Sequence, residues 1–572
     1  MTDRGDVEST RAPQRLRIAS WATALAIGAT IGLLCIPVRV WQLQHRPGDQ
    51  LAAAVAEDLG VRTPQVRRGD LLDRRGRVLA TTSLGWRAFI DPALAKDPAL
   101  LGVRVQQTIG VSAIEVQRRL SGRLHRRYIP LPGLLEDWQV ERLRVERIPG
   151  VGLERRAVRH YPLSDTAQSL VGTVGFEHDG LSGLEHALHT SLDSARGRIV
   201  SVRDVRRRTM WIPPDGFEPG KDGETVRLSI DLVIQRMAES RLEEAVAAYG
   251  AAGGRVVIMD PATGELLAVA DIDRRTEHLN PHLRRNRCVS DPYEPGSTFK
   301  PFVWAAATQA GLATPDEVLP TPTHGPHRTS FGRRIRDAHD RGPTSWRHVL
   351  VHSLNSGMAI VAERMSHGSL RRVVGQLGFG HATGCGIPGE TIGIVTPSGK
   401  WSNYTQTSVA MGHEIAVTPI QMARAFSAFA SEGRMPAATI QAVHDRAATL
   451  SVPVFDPGIS DLTRATMQLV MREGTGKRVQ SDQYSMFGKS GTAQLPKAEG
   501  GGYHEHRYVS SFIAGAPALD TRLVVLCIID DPDRGLGRWY GGSTAGPVVR
   551  DLVDSVLPYL GVAPDRLQAS AD

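Results

Sequence analysis

Residues Ile18 to Val38 form 21 consecutive positions without a charged side chain (IASWATALAIGATIGLLCIPV). At 1.5 Å per residue, a helix of that length crosses a ~30 Å hydrocarbon layer, so a single membrane crossing is predicted. The alternative is a cleaved signal peptide. Its apolar region is shorter, ~7–15 residues, and the small-residue run Ala52-Ala53-Ala54 comes too late to be the cleavage site. Arg4, Arg11, Arg15 and Arg17 precede the segment and Arg39 and Arg46 follow it, a bias that predicts a cytoplasmic N-terminus. No other stretch reaches membrane length, so the remainder is expected to form one soluble body beyond the membrane.

That body is large. With 572 residues against ~150 for a typical domain, at least two folded units are expected. Apolar residues at 41% and charged residues at 22% exclude a disordered or collagen-like chain despite 58 Gly and 35 Pro. The excess of Lys and Arg over Asp and Glu, 68 against 60, suits an anionic surface but carries no nucleic-acid signature. Cys35, Cys288, Cys385 and Cys527 lie far apart without a CxxC pair, which indicates neither zinc nor a disulfide framework. His504-Glu505-His506 lacks the helical i, i+4 spacing of a metalloprotease site and is expected in a solvated loop.

From about residue 41 to 220 the chain is Arg-rich, with short strand-like or helical pieces such as Ile114 to Leu120 and Val140 to Val145, and reads as a spacer or docking module. The texture changes at Thr225. Leu228-Ser229-Ile230-Asp231 leads into a helix with apolar Ile234, Met237, Leu242 and Val246, and a hairpin follows, with strands Arg255 to Met259 and Glu265 to Ala270. Strand candidates recur at Ser485 to Gln494, Tyr508 to Ala516 and Leu523 to Ile529; the last is apolar throughout, as a central strand would be. Helical stretches lie between, at Phe302 to Gly311, Leu354 to Met365, Pro419 to Ser431 and Leu462 to Arg472. Two strands, many helices, then three strands favour one mixed sheet covered by helices over a doubly wound parallel sheet.

Three short elements carry candidate chemistry. In Glu294-Pro295-Gly296-Ser297-Thr298-Phe299-Lys300-Pro301, a turn feeds an apolar helix. Proline deep inside a helix costs ~3 kcal/mol, so Pro301 confines the helix start to the residues just before it. Positions i and i+3 share a helix face, which brings the Lys300 amine toward the Ser297 hydroxyl as a base to its nucleophile. That role requires burial to lower the lysine pKa; the blander reading is a capping serine with a solvated lysine. Ser353-Leu354-Asn355 opens a helix and alone reads as an N-cap. Gly488-Lys489-Ser490-Gly491-Thr492-Ala493-Gln494 lies on a strand, where glycine marks either close backbone approach or a bulge. A phosphate-binding loop is excluded there, because Gln483 stands where its first glycine belongs.

Ser-x-x-Lys, Ser-x-Asn and Lys-Ser-Gly-Thr, in that order, are the motif set of penicillin-binding proteins and serine β-lactamases, and the chain resembles that superfamily. Further matches narrow the resemblance to class B penicillin-binding proteins: Arg68-Gly69-Asp70 through Ala80, Arg159-His160-Tyr161-Pro162, Gly180-Leu181-Ser182-Gly183-Leu184-Glu185, Leu377-Gly378-Phe379-Gly380, Val417-Thr418-Pro419-Ile420-Gln421 and Tyr540-Gly541-Gly542. Trp401-Ser402, Met411-Gly412-His413-Glu414 and Ser511 through Pro517 look most like the division-specific FtsI group. The similarity runs from about residue 18 to 560. Leu354 fits the Ser-x-Asn form of transpeptidases, and Ser490 replaces the usual threonine while keeping the hydroxyl.

The resemblance implies a cytoplasmic tail (1–17), a transmembrane anchor (18–40), an elongated pedestal domain of the dimerisation type (41–220), a transpeptidase domain (221–560) and a C-terminal tail (561–572). The implied fold is α+β, with an antiparallel five-stranded sheet covered by helices. The implied activity is D,D-transpeptidation of peptidoglycan, inhibited by β-lactams, in the plasma membrane of a bacterium with the catalytic domain periplasmic. Ser297 is then the nucleophile, Lys300 its base, Ser353 a proton relay and Asn355 a substrate-amide holder. Lys489 with Ser490, Gly491 and Thr492 would hold the substrate carboxylate. No cofactor or metal is implied. Nothing resembles a glycosyltransferase domain, so polymerisation is expected from a membrane partner of the FtsW/RodA type, with other divisome proteins. Alternatives are an elongation-specific relative, a serine β-lactamase and a non-catalytic scaffold or receptor. Against the β-lactamase, Glu277-His278-Leu279-Asn280 is one residue short of the deacylation loop and precedes Ser297; against the receptor, only Met1 to Arg17 precede the span.

Overall fold

The structure, a computed structural model, describes residues 12–46, 59–63, 66–95, 97–163, 166–175, 178–195, 197–203, 209–443, 445, 449–497 and 501–566. These fall into two compact units, one drawn from 1–66 and 195–221 and the other from 67–194 and 222–572. In the first, a helix spans Ala12–His45, running past both ends of the uncharged stretch, and its apolar side chains, Trp21, Leu25 and Leu33 among them, are exposed. Its Ala19–His45 portion is long and apolar enough to cross a bilayer and fits a membrane anchor. The same unit holds a small antiparallel sheet in which Arg198–Arg203 pairs Leu59–Arg62 on one side and Thr209–Trp211 and Phe217–Glu218 on the other.

In the second unit, Val78–Ile90 pairs antiparallel with Val151–His160. Three helices, Pro98–Ile109, Ala113–Leu120 and Asp137–Glu146, close a separate small core over Ile90, Leu101, Val105, Val116 and Leu143. Both short pieces whose type the sequence left open here are thus helical. Below them lies a buried charge cluster. The Glu185 carboxylate accepts from the Arg68 and Arg159 guanidinium groups at 2.7 Å each, and all three side chains are at most 1% exposed. Arg159 also donates to the Gly69 carbonyl at 2.7 Å and the Thr82 hydroxyl at 3.0 Å. Arg68, Arg159 and Glu185 come from the three separate N-terminal motif stretches, so this one cluster gathers all three.

The main sheet comprises β1 (Gly253–Met259), β2 (Leu266–Asp273), β3 (Phe487–Pro496), β4 (Tyr503–Ala516) and β5 (Leu523–Asp530), in the order β2-β1-β5-β4-β3. Every pairing is antiparallel, so the mixed sheet expected from element order alone is corrected to an antiparallel one, with β5 central as its composition required. Alternate side chains serve two cores. Val256, Ile258, Val525, Cys527 and Ile529 pack under α1 (Leu232–Ala248) and the C-terminal helix Ala545–Tyr559, with Ile234, Leu242 and Leu552 in the same cluster. Val257, Met259, Leu526 and Ile528 pack under Pro419–Phe426, in a cluster that also takes in Phe426 and Phe302 of α2 (Lys300–Gln309). A strand with helices on both faces has no polar face, which is why β5 reads as an unbroken apolar run. The N-terminal segment joins this body at the start of α1: Asp73 accepts the Leu232 N–H at 3.1 Å, and Arg77 donates to Asp231 at 2.6 Å.

Candidate active site

The turn before α2 is held against the segment 412–417. Tyr293 and Val417 exchange backbone hydrogen bonds of 2.9 Å, and the Gly296 N–H donates to the Gly412 carbonyl at 3.0 Å. Gly296 takes φ +54°, a conformation glycine adopts without strain. One 3-10 turn, Gly296–Phe299, runs directly into α2 at Lys300, and Pro301 falls in the first helical turn, where its missing N–H leaves no bond broken. Ser297 is partly exposed while Thr298, Phe299 and Lys300 are buried.

Lys300 reaches the second motif. Its Nζ donates to the Ser353 carbonyl at 2.7 Å, the Asn355 Oδ1 at 2.6 Å and the Ser353 hydroxyl at 3.4 Å. Ser353 holds φ +60°, a left-handed backbone uncommon for residues other than glycine. The helix that follows, α3 (Asn355–Ala362), has Leu354 at its cap position, so neither Ser353 nor Asn355 serves as the N-cap that the motif alone suggested. That task falls to Asp337. Its carboxylate accepts the Asn355 N–H, the Ser356 N–H at 3.0 Å and the Ser356 hydroxyl. The Asn355 side chain is left free to face Lys300 and to donate from Nδ2 to the Arg336 carbonyl at 2.9 Å. Sequence reasoning missed Asp337, and the one available sign was a helix start with leucine where a capping side chain belongs.

The third motif lies on β3, the edge strand. Lys489 is fully buried, with its Nζ 3.0 Å from the Ser490 carbonyl, and the Ser490 hydroxyl donates to Thr475 at 2.8 Å. A Cβ at Gly491 would lie 2.8 Å from the Pro295 carbonyl oxygen and 2.9 Å from the Thr298 methyl carbon, so only glycine lets the strand lie against the turn. Of the two readings for glycine in this strand, close approach is the one realised, since the ladder from Phe487 to Gln494 runs without a bulge. The Thr492 hydroxyl accepts the Gly541 N–H at 3.1 Å, which ties the strand to Tyr540-Gly541-Gly542.

Burial and charge act together here. Burial pushes Lys300 down from the ordinary 10.5 to about 7, opposed by the negative charge of Asp337. Lys489 is pushed well below its usual range, first by burial and then by the charge of Lys300. Neither amine makes an ion pair among the described residues, so the pair resists carrying two protons. The cleft therefore presents a hydroxyl, two amines and an amide: groups that can take a proton from an alcohol and receive an anion. All eight residues singled out from the sequence lie on these three converging elements. A cavity of about 790 Å³, lined by Gln168, Glu239, Arg275 and Arg284 among others, lies off this cleft and contains none of them. His504-Glu505-His506 is corrected from a loop to the start of β4, with Glu505 and His506 exposed.

Residues 254–554 match the family described as Penicillin binding protein transpeptidase domain, and residues 63–228 match the Penicillin-binding Protein dimerisation domain. The chain is 31% identical over 518 residues to a Pseudomonas aeruginosa protein named Probable peptidoglycan D,D-transpeptidase PbpC, covering 88% of this chain and 89% of that one. It is 27% identical over 580 residues to the Escherichia coli Peptidoglycan D,D-transpeptidase FtsI, covering 97% and 95%. Among solved structures, Penicillin binding protein 3 from Mycobacterium tuberculosis complexed with aztreonam superposes with a TM-score of 0.66 at 24% identity, covering 88% of this chain and 98% of that one.

Proposed function

This chain belongs to the class B penicillin-binding proteins, and from that premise we propose that it is a membrane-anchored peptidoglycan D,D-transpeptidase acting through an acyl-enzyme on Ser297. The observation that carries the mechanism is the buried Lys300 amine, one helical turn from Ser297, bonded to Ser353 and Asn355 and poised at about 7. An ordinary lysine is protonated at neutral pH and cannot accept a proton; this one can.

The donor is a stem peptide ending in D-Ala-D-Ala. Ser297 Oγ attacks the carbonyl between the two alanines as Lys300 takes its proton, and backbone N–H groups of Ser297 and Thr492 hold the oxyanion, each such donor being worth ~3 kcal/mol. The C–N bond then breaks, and D-Ala leaves with a proton delivered through Ser353. The amine of a second stem peptide attacks the ester, forms the cross-link and returns Ser297 to its hydroxyl. Thr492, whose hydroxyl oxygen already accepts from Gly541, retains its O–H to donate to the donor's terminal carboxylate, with Ser490 and Gly491 beside it. An arriving carboxylate offsets the desolvation of Lys489 and favours its charged form.

The test is direct. Labelled penicillin mimics the D-Ala-D-Ala unit and is expected to leave one slowly hydrolysed adduct, which peptide mass spectrometry locates on Ser297. Absence of an adduct, or its location on another residue, overturns the assignment.

The N-terminal helix serves as the anchor, with the N-terminus cytoplasmic and the catalytic domain periplasmic. The domain plan runs 1–17, 18–40, 41–220, 221–560 and 561–572. The likeness to FtsI supports septal wall synthesis; glycan polymerisation would then fall to a membrane glycosyltransferase of the FtsW/RodA type, with other divisome proteins as partners. Depleting the protein is expected to give filaments; rounded cells would assign it to elongation instead.

A further inference from the structure

Glu294 stands three residues before Ser297, and the mechanism above gives it no task. Its side chain is 13% exposed and gathers donors from two other segments. Oε1 accepts the Glu414 N–H and the Tyr503 hydroxyl, each at 3.0 Å, and Oε2 lies 3.0 Å from His413 Nδ1. The His413 and Tyr503 rings meet edge to face at 6.0 Å. Glu414 is itself pinned, with φ +55° and its carboxylate accepting from Ser408 at 2.9 Å, and Ser408 in turn accepts from Arg333 at 2.8 Å. The segment 413–414 is thus a fixed wall, and Glu294 is fastened to it.

Tyr503 is the other side of the contact. It is the first residue of β4 and pairs with Pro496, the last of β3, so it sits at the hairpin end of the two strands. β3 is the sheet edge, paired only with β4 among the described residues and otherwise tied to Gly541 through Thr492 and to Thr475 through Ser490. The nucleophile turn meets the middle of β3 through Gly491 against Pro295 and Thr298 and through Gly296 beside Thr492 and Ala493, and it meets the start of β4 through the Tyr503 phenol on Glu294. Burial and the charge of Glu294 both push the phenol pKa up, which keeps it a donor. The strand contacts fix the middle of the hairpin, and the phenol fixes its far end relative to the turn that carries Ser297. Displacements of about 1 Å in such geometry cost on the order of 100-fold in rate.

We propose that Glu294 and Tyr503 are positioning residues: the carboxylate latches the β3–β4 hairpin to the turn bearing Ser297 and so holds Thr492 at its working distance from the nucleophile. The proposal rests on Ser297 being the acylated residue. It is tested on the full-length protein with labelled penicillin over a range of concentrations, which separates the limiting acylation rate from the half-saturating concentration. Tyr503→Phe keeps the ring against His413 and removes only the hydroxyl. Its limiting rate is expected to fall about tenfold, the equivalent of one hydrogen bond to a carboxylate, with half-saturation and Tm unchanged. Glu294→Gln retains an acceptor oxygen and falls less than Tyr503→Phe. Glu294→Ala falls at least as far, and adding Tyr503→Phe to it slows it no further. A wild-type limiting rate in Tyr503→Phe, a change confined to half-saturation, or a rate loss that tracks a lowered Tm overturns the latch. Failure of the wild-type protein to label strikes the Ser297 assignment instead.

Discussion

Lys300→Met slows acylation by penicillin about a thousandfold while leaving the protein folded, since a positioned general base typically contributes 10²–10⁴ in rate. Methionine matches the lysine stem in length and apolar volume, so the cavity around α2 stays filled. The Ser353 carbonyl and Asn355 Oδ1 lose their donor, at a cost of about 1–3 kcal/mol, and this is partly offset because an amine no longer has to be buried. The pH profile gives the same answer independently. A base acts only when deprotonated, and the deprotonated fraction falls tenfold for each pH unit below the pKa. With Lys300 at about 7 in place of 10.5, the wild-type acylation rate rises with unit slope up to about pH 7 and is flat above it. In Lys300→Met that slope disappears. A wild-type rate in the variant, or a wild-type break near pH 10, would remove Lys300 as the base.

Glu185→Ala is expected to be strongly destabilising although it lies outside the catalytic cleft. It strands two buried guanidinium groups, Arg68 and Arg159, whose side chains are each 1% exposed and whose shared counter-charge is gone. Removing one partner of a buried ion pair costs about 3–5 kcal/mol, because the remaining charge has neither water nor a partner. Arg159 keeps its bonds to Gly69 and Thr82, which places the loss nearer the lower end of that range. Thermal unfolding should show the first transition lowered by about 10 °C, on the scaling for domains of this size. An unchanged transition would mean that solvent reaches the arginine pair. An exposed pair such as Arg144 with Glu141 offers the control, since surface ion pairs contribute about 0–1 kcal/mol.

The residues of the cleft were legible because three motifs, each bland alone, occur in the order of one superfamily's motif set, and each sits on a local backbone signal: proline after Lys300, a helix start after Ser353, glycine within the strand at Gly491. What those local signals could not convey is who satisfies whom. Asp337 caps α3 from 18 residues upstream, a distance at which no helical or strand period applies. Tyr503 was left out of β4, whose start was expected at Tyr508, because His504-Glu505-His506-Arg507 shows no apolar alternation; the register shifts across these four residues before Tyr503 pairs with Pro496. The antiparallel five-stranded sheet came from the family resemblance and not from element order, since strand direction is set by which edges meet and not by the composition of either strand.

By itself the sequence determined everything that depends on neighbours within about two turns of chain: the membrane-length helix, the apolar central strand β5 and the spacing of Ser297 to Lys300. Only the tertiary structure decided the state of Lys300, because a pKa depends on how much water and charge surround the amine, and the carbonyl, amide and carboxylate that do so come from residues 337 to 355. It also decided that Arg68, Arg159 and Glu185 form one cluster and that Glu294 faces Tyr503. Burial brings such groups together across the chain, and their attraction becomes strong only after folding has removed the water between them.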